Sequence, residues 1–346
     1  RRILSFIFNW FNNKEKIIKN KNNSIKDTFV YDDKYLIFFQ NIILKIVKLF
    51  KNKKVYFITF NYDYSTEKPI RLLSKEKKIK LLLWYKESIY TQEQLNYYHH
   101  QLQEIKNFHK IAVYNNLMKN YFIKWGRINK NKINVIGMPR SFFSRNNVTK
   151  QNNKNNKFNI LFYYFERDRG IINKTKKDKQ LNNWDEIRDG VLDSLYKLAK
   201  NNSKLNISVK SKAYDLFSNF AKRVMDRNIE NLNFYYEGSG HDFLKSNDIV
   251  ISFNSTTTYE AMLAEKNILI PIFKKYNNIK YNKRILSVPK AIVVKSQKEL
   301  ETKIQYYFKY NKFNKRRLNI YHKYIVKYFG DYRKTQKLAK KFLEIN

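Results

Sequence analysis

The sequence predicts an α/β protein built in two halves, each a parallel sheet flanked by helices. Three observations carry this. From Val55 onward, short apolar runs alternate with segments of helical period, the signature of parallel sheets. Ile249 to Ser252 is apolar at consecutive positions, as in a strand covered on both faces. The alternation stops over Ser144 to Lys157, a run rich in Asn and Lys without periodicity, and restarts at Phe158. The expected organisation is therefore residues 1–150, residues 151–305, and terminal helices over 306–346.

In chain order, Val55 to Phe60 reads as a strand, followed by a polar loop and a helix from Glu67 to Lys77. Ile79 to Tyr85 is the next strand, ending at Lys86-Glu87, with a helix from Thr91 to Lys106 behind it. Ile111 to Tyr114 is a strand, Leu117 to Trp125 a helix, and Ile133 to Ile136 a strand running into Gly137-Met-Pro-Arg140. After the polar run come strand Phe158 to Tyr164, helix Asp185 to Ala199, strand Leu205 to Val209, helix Tyr214 to Met225 and strand Leu232 to Tyr236. Strand Ile249 to Ser252, helix Thr256 to Glu265 and strand Ile268 to Ile270 follow. Ala291 to Val294 is the last strand, and helical patterns run from Lys298 to the end. No repeat of 20–50 residues appears, which excludes a solenoid.

Composition narrows the chemistry. With 346 residues and 43% hydrophobic content, the chain fills two domains with real cores. It has no cysteine, which excludes disulfides, thiolate metal sites and cysteine nucleophiles. Five His without an H-E-x-x-H pattern argue against zinc. The net charge is +41, yet Lys, Asn, Ile, Tyr and Phe all have codons rich in A and T, so gene composition accounts for much of the lysine. The charge is dispersed and no nucleic-acid-binding motif is visible, so no nucleic-acid partner is expected. Such a surface is still drawn to anionic lipid headgroups and nucleotide phosphates. No stretch is apolar for long enough to span a bilayer. Arg1 to Phe11, short, apolar and basic-flanked, reads as an interfacial helix or as a first core helix.

The densest functional signal is Asn247 to Pro271. Ser255, Thr256 and Thr257 cluster where a helix begins after a buried strand, with free backbone N–H groups and the positive end of the dipole suited to a phosphate. Glu260 lies one turn further on, able to accept hydrogen bonds from sugar hydroxyls. Turns at the carboxyl ends of parallel strands are where open α/β sheets bind ligands. A second reading stays open: Thr257-x-x-Glu260 is also a capping box, which satisfies backbone donors without any ligand.

Taken together, two Rossmann-like halves, Gly137-x-Pro139-Arg140 closing the first, and Asp248-x-Val250-x-x-x-Asn254-Ser255-Thr256-x-x-x-Glu260-Ala261 in the second resemble the GT-B glycosyltransferases. The likeness is to enzymes of bacterial surface polysaccharide, capsule and lipopolysaccharide, and to the CDP-glycerol glycerophosphotransferases of teichoic acid synthesis. It covers roughly Val55 to Phe273. Many relatives carry Ser-Asp where this chain has Asn247-Asp248. The resemblance implies two domains facing across a cleft, with C-terminal helices packing back across them. It implies a nucleotide-sugar donor on the C-terminal half and a glycan or lipid-linked acceptor entering from the N-terminal half. Ser255 and Thr256 then lie near the donor phosphates and Glu260 near the ribose, with Thr257 and Arg140 also counted as donor-binding. Gly238 and Ser239, in Glu237-Gly-Ser-Gly-His241, occupy the position of the family's nucleotide-base loop, although an ordinary flexible turn explains them equally well. GT-B chemistry needs no metal or other cofactor, and the chain has no Asp-x-Asp motif.

Lys210 and Lys212, just past a strand, are placed to neutralise a leaving diphosphate, or are simply solvated surface lysines. The loops Asn61 to Ser65 and Lys86 to Tyr90 follow strands of the first half. There Glu87, and second Asp63, are candidates to take the acceptor proton, Glu87 because an aromatic strand end would raise its pKa. Its alternative is a charge pair at a sheet edge. His99 and His100, mid-helix among Tyr and Gln, read as packed or exposed helix histidines rather than catalytic ones. The rival functions are CDP-alditol phosphate transfer, a sugar-nucleotide epimerase, a non-catalytic glycan-binding scaffold and a basic nucleic-acid binder. The expected location is cytoplasmic, peripheral on the inner face of the membrane.

Overall fold

The computed structural model describes residues 33–49, 56–60, 68–76, 79–85, 105–138, 157–165, 177–253, 256–273, 288–310 and 316–344. Arg1 to Phe11, Asp63, Glu87, His99, His100, Arg140 and Ser255, with nearly all of the expected helix Thr91 to Lys106 and of the polar run Ser144 to Lys157, lie outside the described residues. The chain forms two compact units: the described residues of Arg1–Phe57 with Asp63–Leu81, and Ile58–Tyr62 with Leu82–Asn346.

In the smaller unit, helices α1 (Asp33–Leu49) and α2 (Lys68–Lys75) enclose a core of Ile43, Leu73 and Ile79. Strand β1 (Tyr56–Thr59) contributes Phe57 to it. In the larger unit, β3 (Lys110–Val113), β4 (Ile133–Val135) and Leu82 to Trp84 of β2 (Lys80–Trp84) belong to a four-stranded sheet of order β1-β2-β3-β4. Parallel pairing joins β2 to β3 and β3 to β4. Helix α3 (Asn116–Lys124) crosses between β3 and β4. Asn115 caps it, its Oδ1 accepting the Met118 N–H at 2.8 Å.

The larger sheet is built from β5 (Phe158–Tyr163), β6 (Leu205–Lys210), β7 (Leu232–Tyr235), β8 (Ile249–Ile251), β9 (Asn267–Pro271) and β10 (Val293–Val294). Its order is β10-β9-β8-β5-β6-β7, parallel throughout. Renumbered from its own first strand, that is 3-2-1-4-5-6, the order of a doubly wound nucleotide-binding sheet. The order reverses between β5 and β8. Only covered strands can be apolar at consecutive positions, and Ile160, Leu161, Phe162, Ile249, Val250 and Ile251 are all sealed from solvent. Helices α4 (Lys177–Asn201), α5 (Asn219–Met225), α6 (Gly240–Lys245) and α7 (Thr256–Leu263) make the crossovers, and α8 (Gln297–Tyr310) follows β10.

The terminal helices α9 (Arg316–Phe329) and α10 (Tyr332–Leu343) return to the first sheet. The Met138 N–H donates to Phe329 O at 2.9 Å, and Asn115 Nδ2 donates to Tyr328 O. Phe342 packs edge-on against Trp84 with ring centroids 5.9 Å apart. Between α9 and α10, Gly330 lies so close that a Cβ would meet Tyr114 O at 2.3 Å and the Gly137 Cα at 2.6 Å. Both glycines have positive φ (Gly137 80°, Gly330 86°), so a side chain at either is excluded twice over.

Several elements differ from expectation. The helix expected over Tyr214 to Met225 is broken: Tyr214–Leu216 is a 3₁₀ turn, and α5 begins only at Asn219. Ser218 breaks it, its Oγ accepting the Ala221 N–H at 3.1 Å as an N-cap and donating to Asp189 at 2.9 Å. Helix α4 starts at Lys177 rather than Asp185. Helix α7 stops at Leu263, because Glu265 turns left-handed (φ 55°). Lys266 N then bonds Ala261 O and Glu265 N bonds Met262 O, a Schellman closure without its usual glycine.

Candidate functional site at the switch point

A doubly wound sheet opens a crevice at the carboxyl ends of the two strands where its order reverses, here β5 and β8. The last residue of β5 is Tyr163. Its hydroxyl donates to the Gly240 carbonyl at the start of α6, pinning the β7–α6 loop against the end of β5. Burial raises the Tyr163 pKa, and the nearby Glu260 carboxylate raises it further. Glu260 itself is only 4% exposed. Gly240 and Glu260, far apart in sequence, thus both act on Tyr163 at the end of β5, the first by a hydrogen bond and the second through its charge.

Beyond the end of β8, Ser252 Oγ and Thr258 Oγ1 share a hydrogen bond at 2.5 Å, which fixes α7 against the strand. Behind them Phe253 packs edge-on to Trp184 with centroids 4.1 Å apart, and Phe165 closes the cluster. Thr256 and Thr257 are half-buried in the first turn of α7. Because the helix already begins at Thr256, Thr257 is an interior position rather than the N-cap. The capping box expected for Thr257 and Glu260 would require a helix starting at 258, so Glu260 is not explained as its closing residue.

The end of β6 carries Lys210, 6% exposed, with its ammonium donating to Ser211 O. Burial lowers its pKa. The reading of Lys210 as a solvated surface lysine is therefore overturned: the strand carries it inside, where its charge is costly. Lys212 is exposed. Gly238 (φ 82°) and Ser239 are exposed in the β7–α6 loop, and Ser239 Oγ caps α6 by accepting the His241 N–H at 3.2 Å. Beside this rim, Tyr164 bonds Asp189 at 3.0 Å and Ser218 at 2.9 Å, and the buried Arg188 guanidinium lies 4.7 Å above its ring. Burial pushes the Tyr164 hydroxyl up to about 12.

The two ends of the Asn247 to Glu260 motif do different things. Asp248 sits at the amino end of β8, where its carboxylate accepts the Asn159 N–H at 2.9 Å and locks β8 to β5. Asn247 Nδ2 donates to Phe243 O at 2.5 Å. This half of the motif is structural, and only the half from Ser252 onward reaches the crevice. Tyr163, Ser252 and Thr258 were not singled out from the sequence, and Gly240 only as part of the Glu237 to His241 loop. An aromatic residue ending a strand, with a strand-ending serine six residues before a helix threonine, was the available signal.

Among the described residues, no group of three His, Asp or Glu is arranged to hold a metal ion, and no helix is long and apolar enough to cross a membrane.

No protein-family model matches the chain, and no curated protein matches it in sequence. Solved structures do. A glycosyltransferase from Rickettsia africae is similar over 94% of this chain and 84% of its own, at 19% identity and a TM-score of 0.50. A UDP-N-acetylglucosamine 2-epimerase, so described provisionally, from Listeria monocytogenes matches 94% of this chain and 83% of its own, at 11% identity and a TM-score of 0.59. The wall teichoic acid polymerase TagF matches 88% of this chain and 85% of its own, at 13% identity and a TM-score of 0.51. The shared feature is the fold: two parallel-stranded α/β sheets with terminal helices, the GT-B architecture.

Proposed function

We propose that this chain is a glycosyltransferase that moves a sugar from a nucleotide-activated donor to a surface-glycan or lipid-linked acceptor. The observation that carries the reading is the convergence of Tyr163, Gly240 and Glu260 at the switch point, beside the first turn of α7. The donor diphosphate meets the N–H groups of Ser255, Thr256 and Thr257, with Lys210, Lys212 and Arg140 supplying positive charge. Glu260 accepts a ribose hydroxyl, and Gly238 and Ser239 border the base. In transfer, the acceptor oxygen bonds the anomeric carbon and the bond from that carbon to the phosphate oxygen breaks. The diphosphate leaves with the electron pair, and the acceptor proton passes to a base, Glu87 or Asp63. Helix end and lysines carry the leaving charge without a metal, by electrostatic preorganisation. The basic surface holds the enzyme at the cytoplasmic face of the membrane.

Two measurements test this. Thermal shift against UDP, GDP, CMP, CDP and ADP identifies the nucleotide, since a ligand that binds the native state raises its melting temperature. Glu260→Gln then weakens that nucleotide roughly tenfold. No shift with any nucleotide, or equal affinity in Glu260→Gln, overturns the reading. The likeness to a teichoic acid polymerase favours a second reading, transfer of an alditol phosphate from a CDP-alditol, which turnover of CDP-glycerol with release of CMP would establish. The likeness to an epimerase adds a control: conversion of a UDP-sugar with no acceptor present would replace transfer by epimerisation.

A further inference from the structure

At the opposite ends of the strands lies a cavity of about 560 Å³, lined by Lys157, Tyr196, Lys200, Arg227, Ile229 and Asn231 among others. Its place is set by the fold. Lys157 precedes β5, Lys200 ends α4, and Arg227 to Asn231 lead into β7, so the cavity opens at the amino ends, away from the switch point. A six-residue strand separates the two ends by about 20 Å.

The cavity is constructed rather than incidental. Its floor is held by Asn231, 7% exposed, whose Nδ2 donates to the carbonyls of Ala199 (3.1 Å), Asn202 (2.9 Å) and Leu205 (3.0 Å). The bonds to Ala199 and Asn202 engage carbonyls at the negative end of α4, which would otherwise repel an anion, and the third ties that end to the start of β6. The guanidinium of the exposed Arg227 lies 4.9 Å over the Tyr196 ring, a contact that favours this orientation at the rim of the cavity. Lys157, Lys200 and Arg227 supply three positive charges against one carboxylate, Glu230.

We infer that this cavity binds a sugar carrying a phosphate or carboxylate. Three cations call for an oxyanion. The volume falls in the range of small-molecule pockets and exceeds what a bare phosphate fills. Glu230 and Ser203 in the lining match hydroxyls, and Ala199, Ile229 and the Tyr196 ring edge match the apolar face of a sugar. The inference does not rest on the proposed transferase reaction, because no residue of the switch point takes part.

The chemistry has two sources, a free sugar phosphate or a residue of an anionic glycan strand. Isothermal titration near physiological salt (about 0.15 M) removes most non-specific attraction to the basic surface. The probes are glucose 6-phosphate, trigalacturonate and neutral maltotriose, against the wild type, Lys200→Ala, Arg227→Ala and Lys337→Ala. Lys337 lies exposed on α10 and removes the same charge elsewhere. Saturable one-to-one binding of an anionic probe, weakened roughly tenfold in Lys200→Ala and Arg227→Ala but unchanged in Lys337→Ala, is expected. Binding of glucose 6-phosphate alone identifies a free-metabolite site, and tighter binding of trigalacturonate a strand site. No saturable binding by either, equal loss in all three variants, or equal binding of maltotriose overturns the inference. Melting temperatures confirm that each variant is folded. Nucleotide binding, measured on the same samples, is unaffected if the site is separate, so failure here and failure at the switch point are read independently.

Discussion

Two lysines stand at opposite ends of the six-stranded sheet, the buried Lys210 at the carboxyl end of β6 and the half-buried Lys266 just before β9. Burial lowers the pKa of both. At Lys266 the charge of Asp248 pulls it back up, and its ammonium donates to Lys245 O at 3.1 Å. Asp248 is in turn raised by burial and lowered by its bond from Asn159 and by Lys266. At Lys210 burial acts with no acid among the described residues to offset it. The amino end is thus a pair of charges that steady each other and the β5–β8 junction. At the carboxyl end an inward-facing cation lies on the rim of the crevice, an arrangement that favours an incoming anion. Charge of the first kind holds a fold, and of the second kind is available to the proposed donor site.

The comparison breaks most visibly at Lys266. Lys266→Met leaves the half-buried Asp248 without its compensating charge. The expected loss of stability is about 2 kcal/mol, less than the roughly 3–5 kcal/mol of a pair in direct contact. Asp248→Asn in the same protein should recover much of it, and nucleotide affinity should stay unchanged. Denaturant unfolding measures both, and a fully additive double variant would show that the two charges are not coupled.

Lys210→Met is the converse. The melting temperature should hold or rise, while affinity for the nucleotide found by thermal shift falls roughly tenfold. The pH dependence has a definite sign. The native pKa of Lys210 lies below its ordinary 10.5, so the unfolded chain binds the proton more tightly. The cost is complete below the native pKa and disappears as pH rises toward 10.5. Any stability advantage of Lys210→Met should therefore shrink in alkaline buffer. A destabilised variant with unchanged nucleotide affinity would make Lys210 a structural residue like Lys266.

Tyr163→Phe removes the bond to Gly240 O and should cost about 1 kcal/mol, with weaker nucleotide binding if the β7–α6 loop borders the base. The smallest effect is at Asp331, the N-cap of α10, whose side chain accepts the Arg333 N–H. Burial alone would raise its pKa, but hydrogen bonds from Arg333 and the charges of Arg333 and Lys334 bring it below the ordinary 3.8. Its contribution is complete above that value and is lost as pH falls below it. Asp331→Asn should cost at most about 0.5 kcal/mol near neutrality, since Asn caps almost as well, and the gap should close in acid.

Much of this was legible from the chain alone because local chemistry carried it. The fully apolar β8, the helix expected over Leu117 to Trp125 and found at Asn116–Lys124, and the polar turn ahead of Thr256 each announced themselves within a few residues. The break at Ser218 was not legible. Tyr214 to Met225 has an unbroken helical pattern, and it was Asp189 and Tyr164, distant in sequence, that drew the Ser218 hydroxyl into a cap. The site split in the same way. Glu260 was singled out from its motif and Gly240 lies within the Glu237 to His241 loop, whereas Tyr163 has no motif and joins the candidate site because β5 ends beside that loop.

Sequence by itself determined the alternation of strands and helices, the two-sheet α/β class and the helix that follows β8, since period and turn chemistry act over neighbouring residues. Tertiary structure alone decided the reversal of strand order between β5 and β8, and with it which strand ends share a crevice. It also decided that Asp248 faces Lys266 while Lys210 faces inward at the rim, and that Gly137 and Gly330 touch. Each of these is a contact between segments far apart in the chain, chosen by packing and by the cost of buried charge, which no local pattern encodes.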